Sequence, residues 1–337
     1  MAGRASAWSD PRVLELARQF VPAADEVWRL QRGADPECLF FQRAVNGGKP
    51  ITDDGTRQGI WVIAPGGKLL AHVNSANPEH VAGMLEKGLA AWHELPAAER
   101  RLSAEATIEP THRWDSFAPQ DGLILERIVR DLPASLDPAE APRRPWNRDF
   151  AWFTKDEARA WLPADPQPGA VQAVPAASVE RLARFHLVDN VRGQTIPYAA
   201  EDLELAALTA KVLVRNGSLV ELALAGEVRA VTDGTWKLGD NLWKPGRFDP
   251  HGIEIRLIGR AVYDLDREAF IEFELLSLGN RFGKTVMNGR HRDPDPAPIG
   301  FHFQLAAAGR SIAPTFVAIY EVPWIPLPQQ GRELRLR

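Results

Sequence analysis

Cysteine is almost missing from this sequence: there is one, Cys38, in 337 residues. A single cysteine excludes an intramolecular disulfide and any multi-cysteine zinc or iron–sulfur site. An excess of charge is missing as well. The 40 Lys and Arg stand against 44 Asp and Glu, for a formal net charge of −4. With a pI near 6.1, neither nucleic acid nor an anionic membrane surface is an expected partner. No apolar run approaches the roughly 20 residues that a membrane helix needs, so no membrane insertion is expected. The opening "MAGRASAWSD" lacks an apolar signal core. The expectation is a soluble protein, cytoplasmic or exported with its signal already removed. Common chemical motifs are absent too: "VNGGKPIT" lacks the phosphate-loop spacing, and no G-x-S-x-G, H-x-H or H-E-x-x-H occurs.

What is present is a normally apolar chain, 45% hydrophobic and long enough for two domains. Three segments in the first hundred residues start helices by one device. Asp10-Pro11, Asp35-Pro36 and Asn77-Pro78 each pair a capping oxygen with a proline at the first helical position, where the missing N–H was unpaired anyway. In the third helix Val81, Met84, Leu85, Leu89 and Trp92 recur on one face. "GIWVIAPGGKLLAHVN" is two apolar runs around Ala64-Pro65-Gly66-Gly67, a β-hairpin pattern. "FVPAADEVWRL" supplies a further expected strand, giving the order helix, strand, helix, hairpin, helix.

That order, carried by "SDPRVLELARQFVPAADEV", "GIWVIAPGGKLLAHVN" and "NPEHVAGMLEKGLAAW", resembles the later part of a thioredoxin-like domain over about residues 8–95. The resemblance implies an α/β domain with a closing hairpin and a last helix packed on it. It also implies a C-x-x-C and a cis-proline before the hairpin, and this sequence has neither: the proline position falls at Gln58. A dithiol oxidoreductase is therefore excluded. Cys38, in "DPECLFF", lies near a helix N-terminus, which stabilises a thiolate. Glu37 and Asp35 oppose that, and Leu39, Phe40 and Phe41 indicate burial. Cys38 is read as a packing residue, with a monothiol redox role as the alternative.

Residues 96–118 read as a linker, and 119–330 as a mainly antiparallel β domain, barrel or sandwich, with proline-rich connections "DPAEAPRRPWNRD" and "LPADPQPGAVQAVPAAS". "TKDEARAWL" carries a Thr154…Glu157 capping box. Asn216-Gly217 turns one hairpin, and a second turns near Asp264–Glu268. Ile253, Ile255 and Leu257 are expected to share a face, as are Ile271, Phe273 and Leu275. Glu254, Arg256, Glu272 and Glu274 form a charged ladder on the other.

Candidate chemistry in this half gathers in "FHLVDNVRGQ", where His186, Asp189 and Arg192 are the catalytic candidates and Asn190 a ligand-binding one. "TVMNGRHRDPD" adds Arg290 and His291, and "GFHFQ" adds His302, as ligand-binding candidates. In a regular strand His186 and Asp189 would point to opposite faces, so a joint role requires a bent strand end. A metal site would need His186, His291 and His302 to meet from three distant segments, and none is expected. The function that follows is a redox-inactive thioredoxin-like domain fused to a β domain with a ligand-binding or scaffolding role, whose partner is a small molecule or a protein. The alternative is an enzyme, either a monothiol oxidoreductase using Cys38 or a His- or metal-dependent activity around His186. No cofactor is legible.

Overall fold

The structure is a computed structural model. It describes residues 7–8, 10–25, 27–48, 57–101, 114–132, 146–193, 195–234, 250–284, 288–290, 293–307 and 313–325, with backbone only at 28 and 318. The chain divides into two compact units, residues 1–111 and 112–337.

The first unit is built from α1 (Pro11–Ala17), α2 (Val27–Arg32), α3 (Pro36–Asn46), the strands β1 (Ile60–Ile63) and β2 (Leu69–Val73), and α4 (Pro78–Glu94). All three Asx-Pro starts form. Asp10 accepts from the Arg12 and Val13 amides, Asp35 from Cys38, and Asn77 from Glu79. β1 and β2 pair antiparallel as expected, through a turn in which Gly67 takes φ +88°. Val81, Met84 and Leu85 of α4 pack with Val13, Val62 and Ala71 in a small core. Gly88 lets α4 approach β1 closely, since a Cβ there would meet Val62 at 2.9 Å. One expectation is corrected. Residues 27–30 of the expected strand lie in the helix α2, because so short an apolar run does not distinguish the two. The described residues of this unit therefore carry a two-stranded sheet only.

The second unit is dominated by one eight-stranded antiparallel sheet. Its strands are β3 (Leu123–Asp131), β4 (Trp146–Phe153), β5 (Val171–Ala173), β6 (Leu203–Asn216), β7 (Leu219–Thr232), β8 (His251–Asp264), β9 (Ala269–Phe282) and β10 (Ala297–Leu305). They run in the order β4-β3-β10-β9-β8-β7-β6-β5. Both long hairpins form, β6–β7 turning at Gly217 (φ +59°) and β8–β9 through 265–268. Strand β4 starts inside the segment expected as a connection.

Among the described residues the inner face is covered by helical and irregular segments and not by the second sheet that a sandwich requires. α5 (Lys155–Arg159) starts on the Thr154–Glu157 capping box. α6 (Ala176–Arg181) continues directly into a π turn, Leu182–His186. Trp161, Leu182, Phe185 and Val188 from these segments, and Phe316, Val317 and Tyr320 from 313–325, share one core with the inward residues of the sheet. A bulge between Val262 and Tyr263 shifts the β8–β9 register. Phe270, in place of Ile271, consequently turns inward with Phe273 and Leu275, and Ile271 is left half-buried. No helix among the described residues is long and apolar enough to cross a membrane.

Candidate functional site

In the first unit, Cys38 is fully buried. The Arg29 guanidinium donates to its Sγ at 3.1 Å and is itself held by Asp25 at 3.1 Å and Asp35 at 3.2 Å. Burial pushes the thiol up to about 12, with the Asp35 carboxylate adding to the rise and Arg29 opposing it. Gly33 lies against the sulfur, because a Cβ there would approach Sγ to 2.6 Å. The local geometry is that of a packed thiol.

In the second unit, residues 185–193 form neither a strand nor a strand end. His186 closes the π turn, and Asp189, Asn190 and Arg192 follow in an irregular segment. His186 has no exposed surface, and both ring nitrogens are engaged. Nδ1 lies 3.1 Å from Asp149 Oδ2 and Nε2 lies 2.5 Å from Tyr320 Oη. Asp149 also accepts from the Thr315 amide and hydroxyl, at 2.9 and 3.1 Å, and from Arg127 at 3.4 Å. Arg127 donates to Asn190 Oδ1 at 3.0 Å.

The protonation states of this group follow from its environment. Burial alone would raise the Asp149 carboxyl, but the His186 hydrogen bond and the Arg127 charge bring it below the usual value. Burial lowers His186 despite Asp149, with Arg127 and Arg181 adding to the fall, and burial raises Tyr320 well above the ordinary phenol. An ionised Asp149 only accepts, so Nδ1 of a neutral His186 carries the proton and Nε2 accepts from the Tyr320 hydroxyl. Asp149, His186 and Tyr320 thus form an acid–base chain whose outer end is closed by Tyr320.

A second cluster sits at the end of the sheet where β3 and β9 finish. Arg290 is almost completely buried. It donates to Asp189 at 2.8 and 2.5 Å, to Asp131 at 3.0 and 2.7 Å, and to Asp293 at 2.9 Å. A guanidinium has five N–H donors, so Arg290 has none left for a ligand. Arg192 bridges Asp131 at 2.9 Å and Asp293 at 2.7 Å, and Arg281 reaches Asp293 at 3.2 Å. Three guanidiniums here face three carboxylates. Burial would raise Asp131, but Arg290 and Arg192 bring it below its ordinary range. The structure therefore brings together Asp189, Asn190, Arg192 and Arg290, and joins His186 to them through Arg127 and Asn190. The arrangement clamps β3, β9 and two loops, and its charges are mutually paired.

His302 is elsewhere. It alternates with the buried Phe301 and Phe303 and faces outward from the sheet, on the opposite side from His186, so these two histidines do not converge on one ion. His291 lies outside the described residues. Among the described residues no group of three or more His, Cys, Asp or Glu is placed to hold a metal ion. His302 borders a groove of about 720 Å³ on the outward face, lined also by Glu221, Arg260, Glu272, Glu274 and Gln304. Its Nε2 lies 3.3 Å from Glu274 Oε1. Arg260 pairs with Glu221, while Gln304 donates to Glu126 at 2.9 Å.

Arg127, Asp131, Asp149 and Tyr320 were not among the sequence candidates. Arg127 and Asp131 did carry a signal: in "LILERIVRD" they occupy the same alternate positions as the buried Leu125 and Val129. A charged residue on an inward face requires a partner. No protein-family model, curated protein or solved structure matches the chain.

Proposed function

We propose that this chain is a binding protein, with a thioredoxin-like first unit devoid of dithiol chemistry and a β unit that holds a small ligand on the outward face of its sheet. The observation that carries the proposal is the open groove beside His302. At about 720 Å³ it falls in the size range of small-molecule sites, roughly 300–1,000 Å³. Two further observations weigh in the same direction. Cys38 is buried with its pKa raised, and His186 is buried with both nitrogens engaged, so neither group offers a reactive atom to solvent. The support for a thioredoxin-like first unit is the run of hairpin, Asn77-Pro78 cap and α4, with α4 lying against β1 and β2. The helix at 27–32, where the resemblance expects a strand, counts against it.

The test is a fragment screen read by nuclear magnetic resonance on methyl-labelled protein. Binding that perturbs Val262 and Ile271, with loss of the effect in His302→Ala, is the expected result. Perturbations confined to residues 187–193, or none in the groove for any fragment, would overturn the proposal.

A further inference from the structure

Resting on that groove as the binding site, we propose that its ligand is a small organic cation carrying an apolar group, such as an alkyl- or arylammonium. Three features of the groove lead there.

The first is charge. The lining holds three carboxylates, Glu221, Glu272 and Glu274, against one guanidinium, Arg260, and one imidazole, His302. Even with His302 protonated, carboxylates outnumber cations. Arg260 is committed to Glu221, and His302 lies beside Glu274. Glu272 makes no hydrogen bond or ion pair among the described residues. Its cross-strand neighbour is Val262, and Glu274 follows on the same side of β9. An ammonium group placed between Glu272 and Glu274 would meet two carboxylates that no lysine of the groove neutralises.

The second is the bulge. The register break between Val262 and Tyr263 takes Ile271 out of the inward row, where Phe270 replaces it, and brings it to the groove lining next to Glu272. Bulges re-aim side chains in this way. With Val262, Ile271 supplies half-buried apolar surface beside the carboxylates, where an apolar group of the ligand is removed from water.

The third is the imidazole. His302 Nε2 is shielded from solvent and makes no hydrogen bond, although Glu274 Oε1 is 3.3 Å away. The pair is close but misaligned, and an ammonium donating to Glu274 leaves His302 free to turn.

The experiment titrates methyl-labelled protein with hexylammonium, hexanol and hexanoate in parallel, each at low and high salt. Saturable shifts of Val262 and Ile271 with hexylammonium, weakened by salt and absent with hexanoate, are expected. Glu272→Gln, an exposed change that leaves the fold intact, should weaken hexylammonium binding by about threefold. Equal or tighter binding of hexanol or hexanoate in the groove would overturn the cation and leave the groove. Silence from all three probes would overturn both. A blocked lysine-containing apolar peptide run alongside identifies the source of the cation: tighter binding of the peptide than of hexylammonium would overturn the small-molecule assignment.

Discussion

Arg290 donates two hydrogen bonds to Asp131, at 2.7 and 3.0 Å, across 159 residues of sequence. The same guanidinium is paired with Asp189 and Asp293, so one side chain ties the end of β3 to the segment after the π turn. Residues read from the sequence as catalytic and ligand-binding candidates are thereby paired with one another.

Removing the centre of that cluster takes the hydrogen-bonded partner from Asp189 and leaves Asp131 and Asp293 to Arg192 and Arg281 alone. Arg290→Ala is expected to destabilise the second unit by about 3–5 kcal/mol, the usual consequence of breaking a buried pair from one side. Arg290→Lys keeps the charge but loses the fork geometry, so it should fall between wild type and Ala. Urea unfolding followed by tryptophan fluorescence measures both. An unchanged midpoint for Arg290→Ala would show that the carboxylates find other partners.

Tyr320→Phe removes the hydroxyl that reaches His186 Nε2. A buried acceptor left without a donor costs about 1–3 kcal/mol. The loss should be accompanied by faster amide exchange around Thr315, because Thr315 and His186 share Asp149. Destabilisation without any change at Thr315 would mean that 313–325 is held by its apolar contacts alone.

Acid should weaken the second unit in two stages. The folded state lowers the pKa of His186 from 6.5, so as pH falls below 6.5 the unfolded chain takes up a proton that the folded chain resists. Stability then declines by up to about 1.4 kcal/mol per pH unit. Asp131 and Asp149 are lowered from 3.8. Their stabilising contribution is full above that value and is lost as pH falls through their folded values. Chemical denaturation across pH 3–8 gives the profile, and His186→Gln should erase the first stage while keeping the second. Persistence of the first stage in that variant would assign it to another group.

Local signals were legible in the sequence and distant ones were not. Asx-Pro caps, the Thr154–Glu157 box and the Asn216-Gly217 turn depend on residues within a few positions of each other, and all formed. The helix at 27–32 was not legible, since four apolar-rich residues fit either period. Nor was the bulge that exchanges Phe270 for Ile271, because strict alternation carries no mark of an inserted residue. The residue types of the Arg–Asp cluster were visible, but most of their pairing was not: Asp293 lies three positions from Arg290, while Asp189 and Asp131 lie 101 and 159 positions away. Only the three-dimensional structure reveals that these charges are paired with one another.

Cys38 offers the sharpest test of the first unit. Its sulfur is buried against Gly33 and Arg29, and its pKa is pushed up to about 12 by burial, with Asp35 adding to the shift. Alkylation by iodoacetamide needs both access and a thiolate. In the native protein at pH 8 the reaction should therefore proceed no faster than the first unit opens, and it should accelerate sharply in denaturant. Gly33→Ala, which drives a methyl group into the sulfur, should loosen the α2–α3 packing and raise the labelling rate without changing the chemistry of the thiol. Rapid labelling of the wild type, with a midpoint below the free-thiol value of about 8.5, would instead require an exposed thiolate stabilised by Arg29. The monothiol redox role would then become the better account of this unit.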